Sequence, residues 1–275
     1  MDVERLDGRT VLVTGAGSGI GSETALLCAL RGADLVLCDV EEAGLQETAA
    51  AARAHGREVF ARRVDVADRG EMQAFADAVH ERVEALDLLV NNAGVGLGAA
   101  FLDTELEDWD WIVPINVMGV VHGCHMFIPR MVARGRGGHV VNLSSAAGYF
   151  ANPGLSAYST TKFAVLGLSE ALRVELRPHG IGVTAVCPGL INTPITRTSR
   201  MRGGAAEEQA RARVVKLYER RNYGPDRVAE RILRAVARDR AVMPVTAEAW
   251  AMYVLTHAAP PLARLLSRAL DAVAP

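Results

Sequence analysis

The sequence predicts an α/β protein: a doubly wound parallel sheet of about seven strands, flanked by helices and followed by a helical C-terminal extension. Two observations carry that expectation. Short β-branched apolar runs alternate with helical segments from Thr10 onward, and parallel strands need such crossover connections. The first of these runs also breaks into a cluster of glycines just where a helix begins. In order, Thr10 to Thr14 (TVLVT) reads as a buried strand, and Ile20 to Arg31 as a helix stopped by Gly32. Leu35 to Cys38 repeats the strand signal, and the alanine-rich stretch from Glu41 to His55 is helical, closing at Gly56. Val59 to Val66 is a third strand, Arg69 to Glu84 a third helix, and Leu86 to Val90 a fourth strand running into NNAG.

The second half keeps the rhythm with longer helices. Thr104 to Arg134 should be helical but bent, because Pro114 cannot donate in a helix interior and Gly119 follows closely. Gly138 to Leu143 is strand five, Leu155 to Leu176 a long helix ended by Pro178 and Gly180, and Ile181 to Cys187 strand six. From Ile191 to Arg221 the pattern loosens. A helix over Pro225 to Arg238, a last strand over Ala241 to Val245, and a tail over Ala247 to Val273, broken at Pro260 and Pro261, complete the chain. Residues 1–275 read as one domain, with 190–225 as a lid and 247–275 as the tail.

Half of the residues are hydrophobic, ample for a core, and Lys plus Arg number 30 against 32 for Asp plus Glu. That balance offers no global attraction to nucleic acid or anionic membrane. Cys28, Cys38, Cys124 and Cys187 are widely spaced, with no C-x-x-C, and read as reduced core thiols. The opening MDVERLDGR lacks an apolar h-region, and no run of about 20 residues reads as apolar enough to span a bilayer. A cytoplasmic protein without stable membrane insertion is the expectation.

Two stretches carry chemistry. In Ser144 to Lys162, SSAAGYFANPGLSAYSTTK, Tyr158 and Lys162 are four apart, so a helix puts an ammonium beside the phenol. A free tyrosine has a pKa of about 10, and a neighbouring cation favours the phenolate. Such a pair also arises by chance on helix surfaces. Thr14 to Gly21, TGAGSGIG, lies where a strand turns into a helix, and glycines there let the backbone approach a pyrophosphate met by free N–H groups. The spacing is G-x-x-x-G-x-G, at Gly15, Gly19 and Gly21. Asp39, at the end of the second strand, can accept from adenosine ribose hydroxyls and would repel a 2′-phosphate. Val40, Glu41 and Glu42 supply no cation to rescue that phosphate, which favours NAD(H) over NADP(H). The competing use for Asp39 is a cap on the next helix.

Together these pieces resemble the classical short-chain dehydrogenase/reductase family along nearly the full chain. TGAGSGIG is similar to its cofactor motif, Asn91 to Gly94 to its strand-four motif, and Tyr158-Ser-Thr-Thr-Lys162 to its Y-x-x-x-K. Asn116 stands seven residues after Trp109, and Ser145 thirteen before the tyrosine, as in the family. Pro188-Gly189 with Thr193 resembles the segment that grips the nicotinamide, and Asp65-Val66 the adenine-contacting pair. The fold so implied is Rossmann-like. The resemblance implies catalytic roles for Asn116, Ser145, Tyr158 and Lys162. It implies cofactor contacts at Gly15, Ser18, Gly19, Ile20, Gly21, Asp39, Asp65, Val66, Asn92, Ala93, Gly94, Tyr158, Lys162, Pro188, Gly189, Ile191 and Thr193. The implied reaction is hydride transfer between nicotinamide C4 and a carbinol or carbonyl carbon. Tyr158 would be the acid/base, Lys162 its tuner and a ribose ligand, Ser145 the partner of the substrate oxygen, and Asn116 the support for a proton-relaying water. No metal enters this scheme. Pro114 stands where the family more often has a polar residue.

Arg197, Arg200, Arg202, Arg211, Arg213, Lys216, Arg220 and Arg221 face only Glu207, Glu208 and Glu219 in the lid. They suit either a solvated amphipathic cover or attraction of an anionic substrate such as an acyl thioester. The tail carries Trp250, Met252, Tyr253, Leu255, Leu262, Leu265, Leu266 and Leu270 at partly helical spacing, a stripe suited to core or subunit contact. With Ile191, Pro194 and Ile195 it leans towards a lipophilic alcohol or ketone. A homodimer or homotetramer is expected. The run TPITRTSR and the extended tail more faintly resemble actinobacterial family members, some of them joined to an α/β-hydrolase (epoxide-hydrolase-like) domain. His122 and His125 are read as packing or interface residues. The competing functions are a non-catalytic NAD-sensing regulator, a 3-oxoacyl-type thioester reductase, and an epimerase or dehydratase of the extended branch, which the short chain disfavours.

Overall fold

The alternation of apolar runs and helices folds into a seven-stranded, wholly parallel sheet in the order β3 (Val59–Arg63), β2 (Asp34–Asp39), β1 (Thr10–Thr14), β4 (Leu88–Asn91), β6 (Gly138–Leu143), β7 (Ile181–Cys187) and β9 (Val242–Pro244). The computed structural model describes residues 1–202, 216 and 220–271. The central strands are β1, β2, β4, β6 and β7, with β3 and β9 at the edges. Strand order reverses between β1 and β4, and α/β sheets bind ligands outside the strand carboxyl ends at such a switch point.

Helices cover both faces because the strands are apolar on both sides. One face takes α1 (Gly19–Leu30) and α2 (Glu42–Arg53), together with α8 (Pro225–Ala237), which buries Val228, Ile232 and Leu233 beside Val11, Val13 and Leu35. The other takes α3 (Arg69–His80), α5 (Gly119–Arg134) and α6 (Ser156–Leu176), where Phe75, Phe127 and Val165 pack beside Leu12 and Leu89. The four cysteines are buried and unpaired, and burial pushes the thiols of Cys28, Cys124 and Cys187 up to about 12.

Several boundaries differ from the sequence expectation, each for a local reason. Strand β3 stops at Arg63 instead of Val66, because Asp65 accepts from Ala67 N and gives its own N–H to Glu71, closing a turn. Helix α3 ends at His80, four residues early. Strand β4 starts at Leu88, because Asp87 turns aside to accept from Thr10 N at 3.0 Å, Arg9 Nη1 at 3.0 Å and Arg134 Nη1 at 3.2 Å. The bend expected near Pro114 is real and local: α4 (Leu106–Val113) passes into a single π turn over Pro114–Met118 and resumes as α5. Two strands escaped sequence reading altogether. They are β5 (Leu97–Gly98) and β8 (Arg200–Met201), which pair in parallel and flank the short helix α7 (Ile195–Thr198).

The helical run Leu106–Arg134 does meet the length and hydropathy of a membrane span, which corrects the reading that no such stretch exists. Its apolarity follows from its place against the core, where half of its most apolar 18-residue stretch is buried. In the tail, α9 (Ala247–Ala258) turns Met252, Tyr253 and Leu255 inward against Tyr149 and Phe150, as core contact requires. Helix α10 (Pro260–Asp271) does the reverse: Ala263 is buried while Leu262, Leu265 and Leu266 are exposed. The Leu270 side chain lies outside the described residues.

Candidate active site

At the carboxyl end of β1 the chain turns through Gly15 (φ +65°) and Gly19 (φ +55°) into α1, a left-handed geometry that side chains resist. A methyl group on Gly21 would overlap the Gly15 carbonyl oxygen and stand 2.5 Å from Asn92 Nδ2. Helix α1 is capped at Ser18 without a side-chain bond and has no acid in its first turn, so its leading N–H groups suit an anion. Ile20 anchors the turn from below, packed on the core. Asn92 holds the turn from the side, donating through Nδ2 to Thr14 O (2.9 Å) and Gly15 O (3.0 Å), while Thr14 Oγ1 accepts from Asn92 N and Ala93 N. A cradle that only backbone can fill, with the leading N–H groups of α1 at its rim, fits a dinucleotide pyrophosphate.

Asp39 ends β2 beside this turn. Its Oδ2 accepts from Gly17 N at 2.7 Å and its Oδ1 from Glu41 N at 2.9 Å. Glu41 is the N-cap of α2, so Asp39 is not that helix's cap. Arg63 is the register partner of Asp39 on β3, a cation that reading Val40 to Glu42 could not reveal. It leans towards Glu71, 3.7 Å away. Val66 is held by α5, whose His122 Nδ1 lies 2.9 Å from its carbonyl and whose Gly119 would clash with it if it carried a methyl. This contact accounts for His122 as a packing residue; His125 is exposed.

Across the switch point, α6 sets Tyr158 and Lys162 one turn apart, with Lys162 Nζ 5.7 Å from the phenol ring centre. Lys162 is 5% exposed and donates to Leu143 O at 3.0 Å. Burial lowers its pKa to about 8. Ser144 is consumed, its hydroxyl donating to Lys162 O at 2.8 Å. Ser145 is half-buried, opens a short turn over Ala146–Gly148 and accepts from Ala147 N. Asn116 is fully buried on the π turn: Oδ1 accepts from Val95 N (2.8 Å), and Nδ2 donates to Val95 O (2.9 Å) and Thr161 Oγ1 (3.1 Å). A methyl on Gly94 would lie 3.2 Å from Asn116 Oδ1 and 3.5 Å from Lys162 Nζ, which locates that glycine between the Asn116 amide and the Lys162 ammonium.

Pro188 O accepts from Ala146 N, tying the turn after β7 to the Ser145 loop. A methyl on Gly189 would stand 2.8 Å from Glu248 Oε1, on the tail. Thr193 closes over the glycine turn, 3.4 Å from where a Gly19 methyl would lie. Ile191, which opens the lid, is buried in the core. Of the arginine-rich stretch, Arg200 stacks on Trp111 at 3.7 Å, Arg202 binds Asp108 and Glu105, and Arg221 pairs with Glu248. Arg211 and Arg213 lie outside the described residues. Spacing gave no sign of Glu105, Asp108, Trp111 and Glu248, because their partners are 27 to 97 residues away.

Lys162 yields a pH test. Its folded pKa is depressed, so the unfolded chain binds more protons between about pH 8 and 10.5, and stability from this group rises across that window. The unfolding free energy of wild type minus that of Lys162→Met should therefore grow from pH 7.5 to 10 in denaturant titrations. Parallel curves would contradict a buried, shifted ammonium.

A glycine cradle at the switch point of a doubly wound sheet, with a buried lysine beside a tyrosine on α6, defines a Rossmann-like dinucleotide-binding class of protein. Residues 9–203 match the short chain dehydrogenase family. The chain belongs to that short-chain dehydrogenase/reductase family. It is 42% identical over 262 residues to the protein named "Probable oxidoreductase EphD" of Mycobacterium tuberculosis strain H37Rv, covering 94% of this chain but only 44% of that protein. The chain thus spans less than half the length of this relative. A 2-(R)-hydroxypropyl-CoM dehydrogenase from Xanthobacter autotrophicus is 39% identical over 193 residues, covering 69% of this chain and 77% of that one. Among solved structures, a short chain dehydrogenase/reductase from Burkholderia phymatum in complex with NAD superposes with a TM-score of 0.86 at 34% identity, over 94% of this chain and 96% of the other.

Proposed function

We propose that the protein transfers hydride between NAD(H) and a lipophilic secondary alcohol or ketone, through Ser145, Tyr158, Lys162 and Asn116. The observation that carries this reading is the buried Lys162 ammonium one helical turn from Tyr158 and beside Gly94. When bound, the dinucleotide supplies or accepts the hydride at nicotinamide C4. Gly15, Ser18, Gly19 and Gly21 would hold its pyrophosphate, Asp39 its adenosine ribose, and Asp65, Val66, Asn92 and Ala93 would border the adenine end. Lys162 keeps protons beyond the one given to Leu143 O for the nicotinamide ribose, and its charge favours the phenolate. In oxidation Tyr158 Oη takes the hydroxyl proton as hydride leaves the carbinol carbon; in reduction it returns that proton to the carbonyl oxygen. Ser145 Oγ fixes the same oxygen. Asn116 uses its whole side chain on Val95 and Thr161, so its support for a relaying water passes through the backbone loosened by the π turn.

The lipophilic preference is supported by the apolar cluster around Tyr158, formed by Val95, Leu97, Trp109, Trp111 and Ile112. The secondary-alcohol name of the Xanthobacter relative supports the reaction class. The exposed Phe163 and Val174 on α6 support a homodimer or homotetramer, which we place in the cytoplasm. A screen of lipophilic secondary alcohols and 3-hydroxyacyl thioesters with NAD+, followed by NADH absorbance, tests the activity. No turnover of any of them overturns it.

Cofactor choice has a separate test. NADH should bind the protein at least about tenfold more tightly than NADPH, a difference of roughly 1.4 kcal/mol. Asp39→Ala should shrink that gap by restoring room and charge balance for a 2′-phosphate near Arg63. Tighter NADPH binding by wild type in a fluorescence titration refutes the role given to Asp39.

A further inference from the structure

We propose that Asp108 is a latch: a positioning residue that pins the far end of a strap, residues 193–202, across the active site. The strap is anchored at its near end by Ile191 in the core and by Thr193 against the glycine turn. From there α7 carries it to β8, where Arg200 N donates to Gly96 O (3.0 Å) and Arg202 N to Gly98 O (2.9 Å). It therefore runs from the pyrophosphate turn to the apolar wall beside Tyr158, over the line a bound dinucleotide would take between them.

Two-residue strands give little pairing by themselves, so side chains must hold the far end. Asp108 supplies that hold. Its carboxylate is fully buried on α4, and Arg202 binds it in a fork, with Nε 3.1 Å from Oδ2 and Nη2 3.1 Å from Oδ1. Arg200 Nη1 lies 4.0 Å from the same Oδ1 while its guanidinium stacks on Trp111. Glu105 takes a third contact, from Arg202 Nη2 at 3.3 Å. Burial alone would raise the Asp108 pKa, yet the Arg202 bonds and the Glu105 N–H hold it below the ordinary carboxylate range, so the latch stays charged. A paired carboxylate of this kind is strong only while both partners are present. The glycines at 96 and 98 belong to the same device. Side chains there would collide with Ser199 and with Met201, so the wall is cut back where the strap lies on it.

The strap must lift for a dinucleotide to enter or leave, and segments that open for ligands are those with few fixed contacts. Cutting the latch should therefore expose the strap without disturbing the floor. Two variants separate the latch from the capping role of Asp108, which also accepts from Glu105 N. Asp108→Asn keeps an acceptor for the cap, and Arg202→Gln leaves α4 untouched. In limited trypsin digestion of the full chain, read by mass spectrometry, cleavage at Arg197–Thr198 and Arg200–Met201 should accelerate about tenfold in both variants, as expected when local opening governs cutting. Arg202→Lys should recover part of the protection, because an ammonium cannot fork. Stopped-flow release of NADH should quicken in both variants, and the substrate KM should rise severalfold while kcat changes less than twofold. Cutting rates unchanged from wild type overturn the latch. So does a kcat loss as large as the KM rise, which would place Asp108 in the chemistry. The kinetic arm rests on the NAD(H) reading above; the digestion arm does not. Faster cutting with no NADH binding by wild type would leave the latch standing and remove the cofactor assignment.

Discussion

Tyr158→Phe should lower kcat about a thousandfold, within the range that a positioned acid/base contributes, and leave NADH affinity within about twofold of wild type. The substitution removes one oxygen and keeps the ring, which packs against the apolar cluster of Leu97, Ala99, Ile112 and Ala157. Stability should accordingly change little. Lys162 should stay in place, since its bond to Leu143 O, 3.0 Å away on β6, and the ring beside it are both kept. The ribose contacts given to Lys162 therefore survive, and the loss falls on proton transfer alone. Steady-state kinetics on whichever alcohol the screen identifies, paired with NADH titration, separates the two effects. Unchanged turnover would end the catalytic assignment and favour a protein that binds NAD without using it. Equal losses of turnover and NADH binding would mean that the phenol supports the cofactor site as a whole.

Gly21→Ala should weaken NADH binding by at least about a hundredfold, or roughly 2.7 kcal/mol. It should also destabilise the fold by about 1–3 kcal/mol, as overpacking does. The added methyl meets two groups that cannot step aside. One is the Gly15 carbonyl oxygen, and the other is the Asn92 amide that already bonds Thr14 O and Gly15 O. Relief requires the turn to leave α1, which dismantles the row of N–H groups aimed at the pyrophosphate. Gly167→Ala is the matched control. Gly167 lies in the middle of α6 with open space where a methyl would go, so alanine should stabilise by a few tenths to about 1 kcal/mol. Thermal melts and NADH titration on the pair discriminate a general cost of adding a methyl from the specific cost at the cradle. Near-normal NADH binding by Gly21→Ala would show that the dinucleotide sits elsewhere.

Local patterns carried much of the architecture. Thr10–Thr14, Gly138–Leu143 and Ile181–Cys187 fold as strands over the ranges their β-branched runs suggest, because each is buried on both faces and bounded by glycine or a polar turn. Pro114 announced a disturbance in the helix before Asn116, and a π turn is how the chain absorbs it. The boundaries that moved were those settled by a single side chain acting at a distance. Asp87 turning to Arg9 and Arg134, and Asp65 accepting from Ala67 N, left no mark in hydropathy. In the site, residues close in sequence were legible. Tyr158 with Lys162, and the glycines with one another, are examples. What stayed hidden was everything assembled across the sheet: Arg63 opposite Asp39, the stapling of the cradle by Asn92, and the pairing of β5 with β8. Such neighbours are created by register and topology, which no short window of sequence contains.

The spent side chain of Asn116 has a kinetic meaning. It grips Val95 by both backbone groups and reaches Thr161, whose hydroxyl donates to Tyr158 O. One unbroken string of hydrogen bonds thus runs from the foot of β5 to the backbone of Tyr158. A cover that lifts from β5 leaves this string intact, so the acid/base geometry does not have to be rebuilt on each closing. In the proposed reaction the reorganisation cost of a turnover would fall on the cover, and Asn116, Thr161 and Tyr158 would form a fixed bed to which successive substrates are delivered.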